Sequence, residues 1–174
     1  MYYIKKEINF FPVNNKKKKK REAWRIEKAD LESVRDINFN ANKMYHMVSC
    51  GDDATIKFWD VRKVGEVVKV LANNHSHWVW QVEYNPTWDQ FLVSSGTDNI
   101  VNLWKVASLS SEESENKKEA EEDYLIKSFD QHGDSVYSTC WSTSDNKWIF
   151  ASLSYDGRVA VNEVPREEQL KVVL

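Results

Sequence analysis

The sequence predicts an all-β fold in which short antiparallel strands recur as a tandem repeat. Hydrophobic residues form 41% and aromatic residues 13% of the 174 residues, as in a packed protein rather than a disordered one. Short runs of alternating apolar and polar residues, bounded by Gly and Asp turns, indicate strands instead of helices. The same strand–turn–strand pattern occurs three times along the chain. Together these observations indicate about three antiparallel sheets with four strands each.

The clearest copy of the repeat is residues 49–60, Ser-Cys-Gly-Asp-Asp-Ala-Thr-Ile-Lys-Phe-Trp-Asp. One strand ends before the turn at Asp53, and the next alternates polar and apolar residues until Trp59. Residues 94–104 and 152–162 repeat this layout. One such segment would predict only a hairpin, but three in tandem predict a repeat architecture.

In each copy a serine precedes the turn aspartate by four residues, and an aromatic residue or its replacement follows the aspartate by six. The three sets are Ser49, Asp53 and Trp59; Ser94, Asp98 and Trp104; and Ser152, Asp156 and Asn162. The turn aspartates are 45 and then 58 residues apart, and the longer interval contains an acidic run of 15 residues. A period of about 40–45 residues with four short strands per unit is typical of a propeller blade.

A histidine or its replacement stands four residues before the first strand of each unit, at Asp30, His75 and His132. The His, Ser, turn Asp and strand Trp together resemble the WD-repeat family, in which they form one hydrogen-bonded set. The resemblance implies a complete set only in the second unit, with His75, Ser94, Asp98 and Trp104. Asp30 in the first unit and Asn162 in the third replace one member each. We expect each missing hydrogen bond to weaken its blade by about 1 kcal/mol.

The resemblance implies a partial propeller. Its blades would span about residues 30–71, 75–129 and 132–174, within a propeller region at 23–174. A last strand is expected at residues 169–174. Three blades do not close a ring, because propellers typically have four to eight. We therefore expect the chain to be part of a larger propeller and, alone, to be marginally stable, oligomeric or prone to aggregation.

Two segments depart from the repeat. Residues 1–22 contain a block of Lys and Arg, which is typical of a solvated, disordered extension. We interpret this segment as a flexible extension or as the product of an incorrect gene model; a basic patch for anionic lipid or a nuclear address is the alternative. Residues 109–123 nearly lack apolar side chains and predict a disordered loop within the second blade. Docking or phosphorylation through Ser110, Ser111 or Ser114 is a further possibility for this loop.

Composition argues against several classes of function. The net charge of −3 disfavours general nucleic-acid binding, which needs a basic face. No apolar run is long enough for a transmembrane helix. Cys50 and Cys140 lie in predicted strands and are interpreted as buried thiols of a reduced, cytosolic protein. We predict no enzyme, cofactor or metal site, because no nucleophile elbow, phosphate loop or zinc spacing is present and the Ser, His and Asp combinations recur in the blades.

Three further segments carry a closer resemblance: residues 33–40, Ser-Val-Arg-Asp-Ile-Asn-Phe-Asn; 75–80, His-Ser-His-Trp-Val-Trp; and 150–158, Phe-Ala-Ser-Leu-Ser-Tyr-Asp-Gly-Arg. Together they look like the carboxyl-terminal half of the EARP-interacting protein family. That resemblance implies a non-catalytic adaptor for EARP- and GARP-type tethering complexes, peripheral to the trans-Golgi network and endosomes. It implies protein partners, with no nucleic acid and no small-molecule substrate. Because a fold does not determine function, a substrate receptor of a ubiquitin ligase or a histone-peptide reader is the alternative.

Partner-binding residues are expected on loops at one end of the blades. Asp52, Thr97 and Tyr155 each stand directly before a turn aspartate, so they would share one face. Trp78 is predicted to be an aromatic anchor nearby, since Trp and Tyr dominate interface hot spots. Trp78 and Trp80 begin a strand, and we expect one in the core and the other exposed.

Overall fold

The computed structural model describes residues 26, 29–30, 32–63, 65–111 and 122–173. The predicted extension at residues 1–22 and the centre of the predicted acidic loop, residues 112–121, lie outside this part of the chain. The two ends of that predicted loop are described, and both make contacts. Leu109 packs against a hydrophobic core, and Asp123 accepts a hydrogen bond from the backbone N–H of Ser108 at 2.9 Å. The prediction of disorder is therefore wrong for these end residues.

Three antiparallel sheets follow one another along the chain, and we call them blades one, two and three. Blade one contains β1 (Val34–Phe39), β2 (His46–Gly51), β3 (Ile56–Asp60) and β4 (Val67–Leu71). Blade two contains β5 (Val79–Tyr84), β6 (Phe91–Gly96), β7 (Val101–Lys105) and, after a short 3-10 helix (Ala107–Leu109), β8 (Tyr124–Phe129). Blade three contains β9 (Val136–Trp141), β10 (Ile149–Ser154) and β11 (Val159–Glu163). The predicted all-β fold, a partial propeller of successive antiparallel sheets, is confirmed.

The predicted last strand is wrong, because the tail forms helix α1 (Arg166–Val173). The carbonyl oxygen of Pro165 accepts the N–H groups of Glu168 at 2.9 Å and Gln169 at 3.1 Å. Glu168 is buried, and its Oε2 accepts a hydrogen bond from the hydroxyl group of Tyr124, with 2.7 Å between the two oxygens. This contact with blade two, which lies far away in the sequence, holds a helix where the local Val-Val-Leu sequence favours a strand. Within the described residues blade three therefore has three strands.

We call the first strand of each blade, β1, β5 or β9, its inner strand. Polar side chains of the inner strands join neighbouring blades. Asn38 Oδ1 accepts the backbone N–H of Tyr84 at 3.3 Å, across the junction of blades one and two. Gln81 Oε1 accepts the backbone N–H of Thr139 at 2.5 Å, across the next junction. These bonds satisfy strand edges that would otherwise lack partners, so successive sheets are held at a defined angle around the inner side.

The hydrophobic cores lie between the blades. The core between blades one and two includes Val48, Phe58, Val82, Tyr84 and Trp104, all at most 4% exposed. The core between blades two and three includes Phe91, Leu103, Val136, Trp141 and Phe150, with the same limit. Apolar burial therefore stabilises the contacts between blades more than it stabilises any single sheet.

The outer face of blade three is apolar but exposed. Val159 and Val161 on β11 are 64% and 66% exposed, whereas the residues in equivalent register in blade one, Ile56 and Phe58, are each 1% exposed. Cys140 on β9 is also exposed, so the prediction of two buried thiols is wrong for this residue. Both exposures have the same cause, because no described element covers this side of blade three.

Among the described residues, no helix is long and apolar enough to span a membrane.

Candidate protein-interaction site

The complete set of blade two forms one continuous chain of hydrogen bonds. Trp104 Nε1 donates to Ser94 Oγ at 2.9 Å, and Ser94 Oγ lies 2.8 Å from His75 Nε2. His75 Nδ1 lies 2.9 Å from a carboxylate oxygen of Asp98. Because the indole can only donate, these distances fit a serine that donates to Nε2 and a histidine that donates from Nδ1 to the carboxylate. The chain therefore connects the third strand of the blade to its turn.

Asp98 holds the turn and the loop before the blade. Its carboxylate accepts the backbone N–H of Ser76 at 3.0 Å and of Ile100 at 3.3 Å. Burial alone would raise the pKa of Asp98, but the hydrogen bond from His75 and the two backbone donors outweigh burial and lower that pKa. The turn aspartate is therefore a buried anion that organises the end of the blade.

Blade three retains the histidine half of this arrangement. His132 Nε2 lies 2.8 Å from Ser152 Oγ, and His132 Nδ1 lies 3.3 Å from Asp156. The backbone N–H of Gly133 donates to Asp156 at 2.8 Å and is the principal reason that the pKa of this carboxyl falls to about 2. Asn162 occupies the tryptophan position, and its side-chain amide nitrogen has no hydrogen-bond partner among the described residues.

Blade one has no histidine in its set, and Lys57 of β3 takes its place beside the turn aspartate. Trp59 Nε1 donates to Ser49 Oγ at 2.8 Å, as in blade two. Lys57 Nζ hydrogen-bonds Asp53 and lies 3.6 Å from Asp30, so it stands between the two carboxylates. Burial raises the pKa of Asp30, whereas for Asp53 the hydrogen bonds from Lys57 and Thr55 outweigh burial and lower the pKa.

Sequence reasoning missed Lys57, although a signal was available. Lys57 pairs across the strands with Ser49, in the register where Asn102 pairs with Ser94 in blade two. A lysine opposite the serine of the set, in a blade that lacks its histidine, is the residue that lies between the Asp30 and Asp53 carboxylates.

The buried Ser94–His75–Asp98 set has the order of a hydrolase triad but cannot act as one. Ser94 is 0% exposed and His75 is 6% exposed, so no substrate carbonyl can reach the hydroxyl group. The indole N–H of Trp104 also donates a hydrogen bond to Ser94 Oγ, the atom that would have to act as the nucleophile. In the described part of the chain, no cluster of three His, Cys, Asp or Glu side chains could hold a metal ion. The set is therefore a structural network.

The four predicted partner-binding residues lie at the end of the blades that carries the turn aspartates. The same backbone hydrogen bond recurs in each blade: the N–H of Asp52 donates to Ser33 at 3.0 Å, that of Thr97 to Trp78 at 3.0 Å, and that of Tyr155 to Ser135 at 3.1 Å. Asp52, Thr97 and Tyr155 are thus structurally equivalent. We call this end the rim, and define it by Arg35, Asp52, Trp78, Trp80, Thr97, Tyr137 and Tyr155.

Arg35 is the central cation of the rim. Its Nη2 donates to Asp52 at 2.8 Å, and its guanidinium carbon lies 4.8 Å from the ring centroid of Trp78 and 4.6 Å from that of Trp80. The expectation that the two tryptophans separate into core and surface is wrong, because both are half-buried and both rings lie against the same guanidinium. Both rings stack on one guanidinium, which fixes their orientation.

Aromatic side chains extend the rim across blade three. Tyr137 and Tyr155 pack with their ring centroids 4.8 Å apart and are 40% and 64% exposed. Sequence reasoning missed Arg35, Trp80 and Tyr137 as rim residues. Each follows the first valine of an inner strand, where the pairing with the next strand is irregular. An alignment of the three inner strands would have found them, because a bulge redirects a side chain toward the strand end.

The repeated sheets, the His-Ser-Asp-Trp set and the bulged inner strands define a WD-repeat β-propeller protein. The family model described as EIPR1 beta-propeller matches residues 4–104, and a WD domain, G-beta repeat model matches residues 123–161. The chain belongs to the EIPR1 beta-propeller family. The first match begins inside the segment 1–22, for which the sequence had predicted no match.

Named relatives agree with this assignment. The chain is 43% identical over 167 residues to the human EARP and GARP complex-interacting protein 1, covering 86% of the chain and 43% of the relative. It is 36% identical over 160 residues to the EARP-interacting protein 1 of Caenorhabditis elegans, covering 85% and 44%. It is 40% identical over 136 residues to the WD repeat-containing protein DWA2 of Arabidopsis thaliana, covering 75% and 38%. The chain thus spans less than half the length of these relatives.

Proposed function

We propose that this chain is the part of a non-catalytic WD-repeat adaptor that binds subunits of EARP- and GARP-type tethering complexes, and that the rim is its binding surface. The adaptor would support endosomal recycling and retrograde transport, peripheral to the trans-Golgi network and endosomes. The names of the relatives support the partner class, since several are described as interacting with the EARP and GARP complexes. The WD-repeat fold supports a binding role, because propellers present loops on a rigid frame.

The observation that carries the proposal is the continuous rim formed by three equivalent blade ends. Arg35 is held by Asp52 and by two tryptophan rings, so its side-chain entropy is already reduced before a partner arrives. Tyr137 and Tyr155 add exposed aromatic area beside it. Aromatic residues and arginine are the residue types that most often dominate protein interfaces.

A binding assay with matched surface tyrosines tests the proposal. Purified EARP and GARP complexes are immobilised, and the dissociation constant of the chain is measured for wild type, Tyr155→Ser and Tyr45→Ser. Tyr45 lies in the β1–β2 loop, away from the rim, where it is 44% exposed and contacts Arg62. Tyr45→Ser therefore controls for the loss of an exposed aromatic ring. We expect Tyr155→Ser to weaken binding by about tenfold and Tyr45→Ser to leave it unchanged.

Two results would contradict the proposal at different levels. Failure of the wild-type chain to bind either complex would refute the partner class. Normal binding by Tyr155→Ser and by a second rim variant, Trp78→Ala, would leave the partner class intact but remove the rim as the binding surface. Circular dichroism of each variant checks that the sheets are retained.

A further inference from the structure

A buried carboxylate joins blades one and two at the end opposite the rim. Asp89, in the loop between β5 and β6, is 2% exposed, and its Oδ2 accepts the side-chain amide of Asn40 at 2.8 Å. Asn40 follows β1, and its own Oδ1 accepts the backbone N–H groups of Asn42 and Lys43, each at 2.8 Å. Asp89 therefore anchors the β1–β2 loop of blade one to blade two.

Ser111 supplies two further donors to the same carboxylate. Its backbone N–H lies 3.0 Å and 2.9 Å from the two oxygens of Asp89, and its hydroxyl donates to Oδ1 at 3.0 Å. Ser111 is half-buried and is the last described residue before the acidic stretch. A buried anion needs such donors, since it loses its hydration on folding. Ser111 thus stabilises the carboxylate that joins the two blades. We call the hydrogen bonds from Ser111 to Asp89 the latch.

The other end of the acidic loop contacts blade one directly. Asp123 accepts the N–H of Ser108 at 2.9 Å and forms an ion pair with Lys69 of β4. Both ends of the loop therefore lie against the junction, and a charge introduced at either end acts directly on contacts between the two blades.

The sequence around the latch suits an acid-directed protein kinase. Ser111 is followed by Glu112, Glu113, Ser114 and Glu115. A kinase whose substrate groove is basic binds such a segment through complementary charge. The acidic residues that follow Ser111 would thus bring the kinase to a hydroxyl group that hydrogen-bonds Asp89, the carboxylate that joins the two blades.

We propose that Ser111 is a phosphorylation site and that its modification opens the junction between blades one and two. In the transfer, Ser111 Oγ bonds to the γ-phosphorus of kinase-bound ATP, the bond from that phosphorus to the bridging oxygen breaks, ADP leaves, and the hydroxyl proton is released. The product carries about −1.5 to −2 charges and no hydroxyl donor. Beside the Asp89 carboxylate this charge is repulsive, so the latch cannot close again and the Asn40 contact is weakened.

The next junction provides an internal comparison. Asn85 follows β5 as Asn40 follows β1, but its side-chain amide donates to the carbonyl oxygen of Lys147 at 2.8 Å instead of to a carboxylate. Trp88 and Trp148 stack beside it with centroids 5.3 Å apart. Lys147 takes the place of Asp89 here, and its ammonium group donates to the carbonyl oxygen of Thr143 at 2.7 Å. No carboxylate therefore stands at this position to repel a phosphate on Ser111, which should leave the junction intact.

Phosphate mapping is the first test. The chain is incubated with a recombinant acid-directed serine/threonine kinase and Mg-ATP, and modified residues are identified by tandem mass spectrometry. We expect phosphate on Ser111, lost in Ser111→Ala. Phosphate confined to Ser108, Ser110 or Ser114 would overturn the proposal.

Hydrogen exchange tests the structural consequence. Ser111→Glu is compared with Ser144→Glu, which places the same charge on an exposed serine at blade three. We expect exchange of the Asn42 and Lys43 amides to rise by about tenfold in Ser111→Glu only, with the Trp88 amide unchanged. Adding Asp89→Asn should remove most of this increase, because the repulsion is lost. No increase in Ser111→Glu, or an equal increase with and without Asp89, would overturn the mechanism.

Discussion

Blades two and three share the histidine–aspartate half of the network but differ in the tryptophan half. In blade two, Trp104 reaches Ser94, and the chain of hydrogen bonds joins β7 and β6 to the loop before β5. In blade three, Asn162 stands at the tryptophan position and leaves its amide nitrogen without a described partner. The turn is nevertheless formed in both blades. The difference indicates that the histidine and the aspartate organise the turn, whereas the tryptophan ties the third strand to the second.

A size exchange in the core accompanies the difference. Leu92 lies opposite Trp104 in blade two, and Phe150 lies opposite Asn162 in blade three. Phe150 is fully buried and packs against Phe129 and Trp141, with ring centroids 5.4 Å and 5.2 Å apart. A larger residue on one strand therefore fills the space that the smaller residue on its partner strand leaves, which preserves the packing density of the core.

The largest effect is expected from removing the histidine of blade two. His75→Ala leaves the Asp98 carboxylate, whose side chain is 6% exposed, without its main partner, so we expect a loss of about 2–4 kcal/mol in unfolding free energy. His132→Ala should cost less, because the side chain of Asp156 is 12% exposed and its hydrogen bond to the histidine is longer, at 3.3 Å. Urea denaturation measures both variants, with His77→Ala as an exposed control. Equal losses for the two buried histidines would break the comparison.

The size exchange predicts a coupled pair of substitutions. Asn162→Trp should destabilise the chain by about 2 kcal/mol, because the new indole meets Phe150 in a filled core. Combining it with Phe150→Leu recreates the pair found in blade two and should recover most of the loss. The four unfolding free energies of a double-mutant cycle measure this coupling. Additive losses would show that the two positions do not compensate for each other.

The smallest effect concerns the junction between the two blades. Burial raises the pKa of Glu83 to about 7, against the backbone N–H of Trp141, which lowers it. Since the folded pKa lies above the ordinary value of 4.5, the stabilising contribution of this group is complete below pH 4.5 and is lost as the pH rises to 7.

Glu83→Gln removes that loss while keeping an oxygen acceptor for Trp141. We expect the variant to be more stable than wild type by about 1 kcal/mol at pH 8, a value reduced for the exposed part of the side chain, and equally stable at pH 4. Unfolding free energies at the two pH values check this. The exposed Glu163→Gln serves as the control; if it behaves like Glu83→Gln, burial of Glu83 is not the cause.

Local patterns predicted the strands and turns because their causes are local. The alternation in β3 and the Asp at the turn specify a strand and a reversal regardless of the neighbouring blade. The helix α1 was missed for the opposite reason: its sequence favours a strand, and the contact that decides between the two, Glu168 with Tyr124, joins residues 44 positions apart. The rim was found in part: the turn positions were predicted, whereas the bulge residues, such as Arg35, were missed because alternation assumes a regular strand.

The amino-acid sequence alone specified the repeat, its strands and the His, Ser, Asp and Trp positions of the repeat, because strand periodicity and turn chemistry act within a few residues. Only the tertiary structure decided how each incomplete set is compensated. Lys57 stands between two carboxylates in blade one, and Phe150 fills the tryptophan space in blade three. These choices depend on charge and volume at points where different strands meet, and such balances are set by packing in three dimensions rather than by neighbours along the chain.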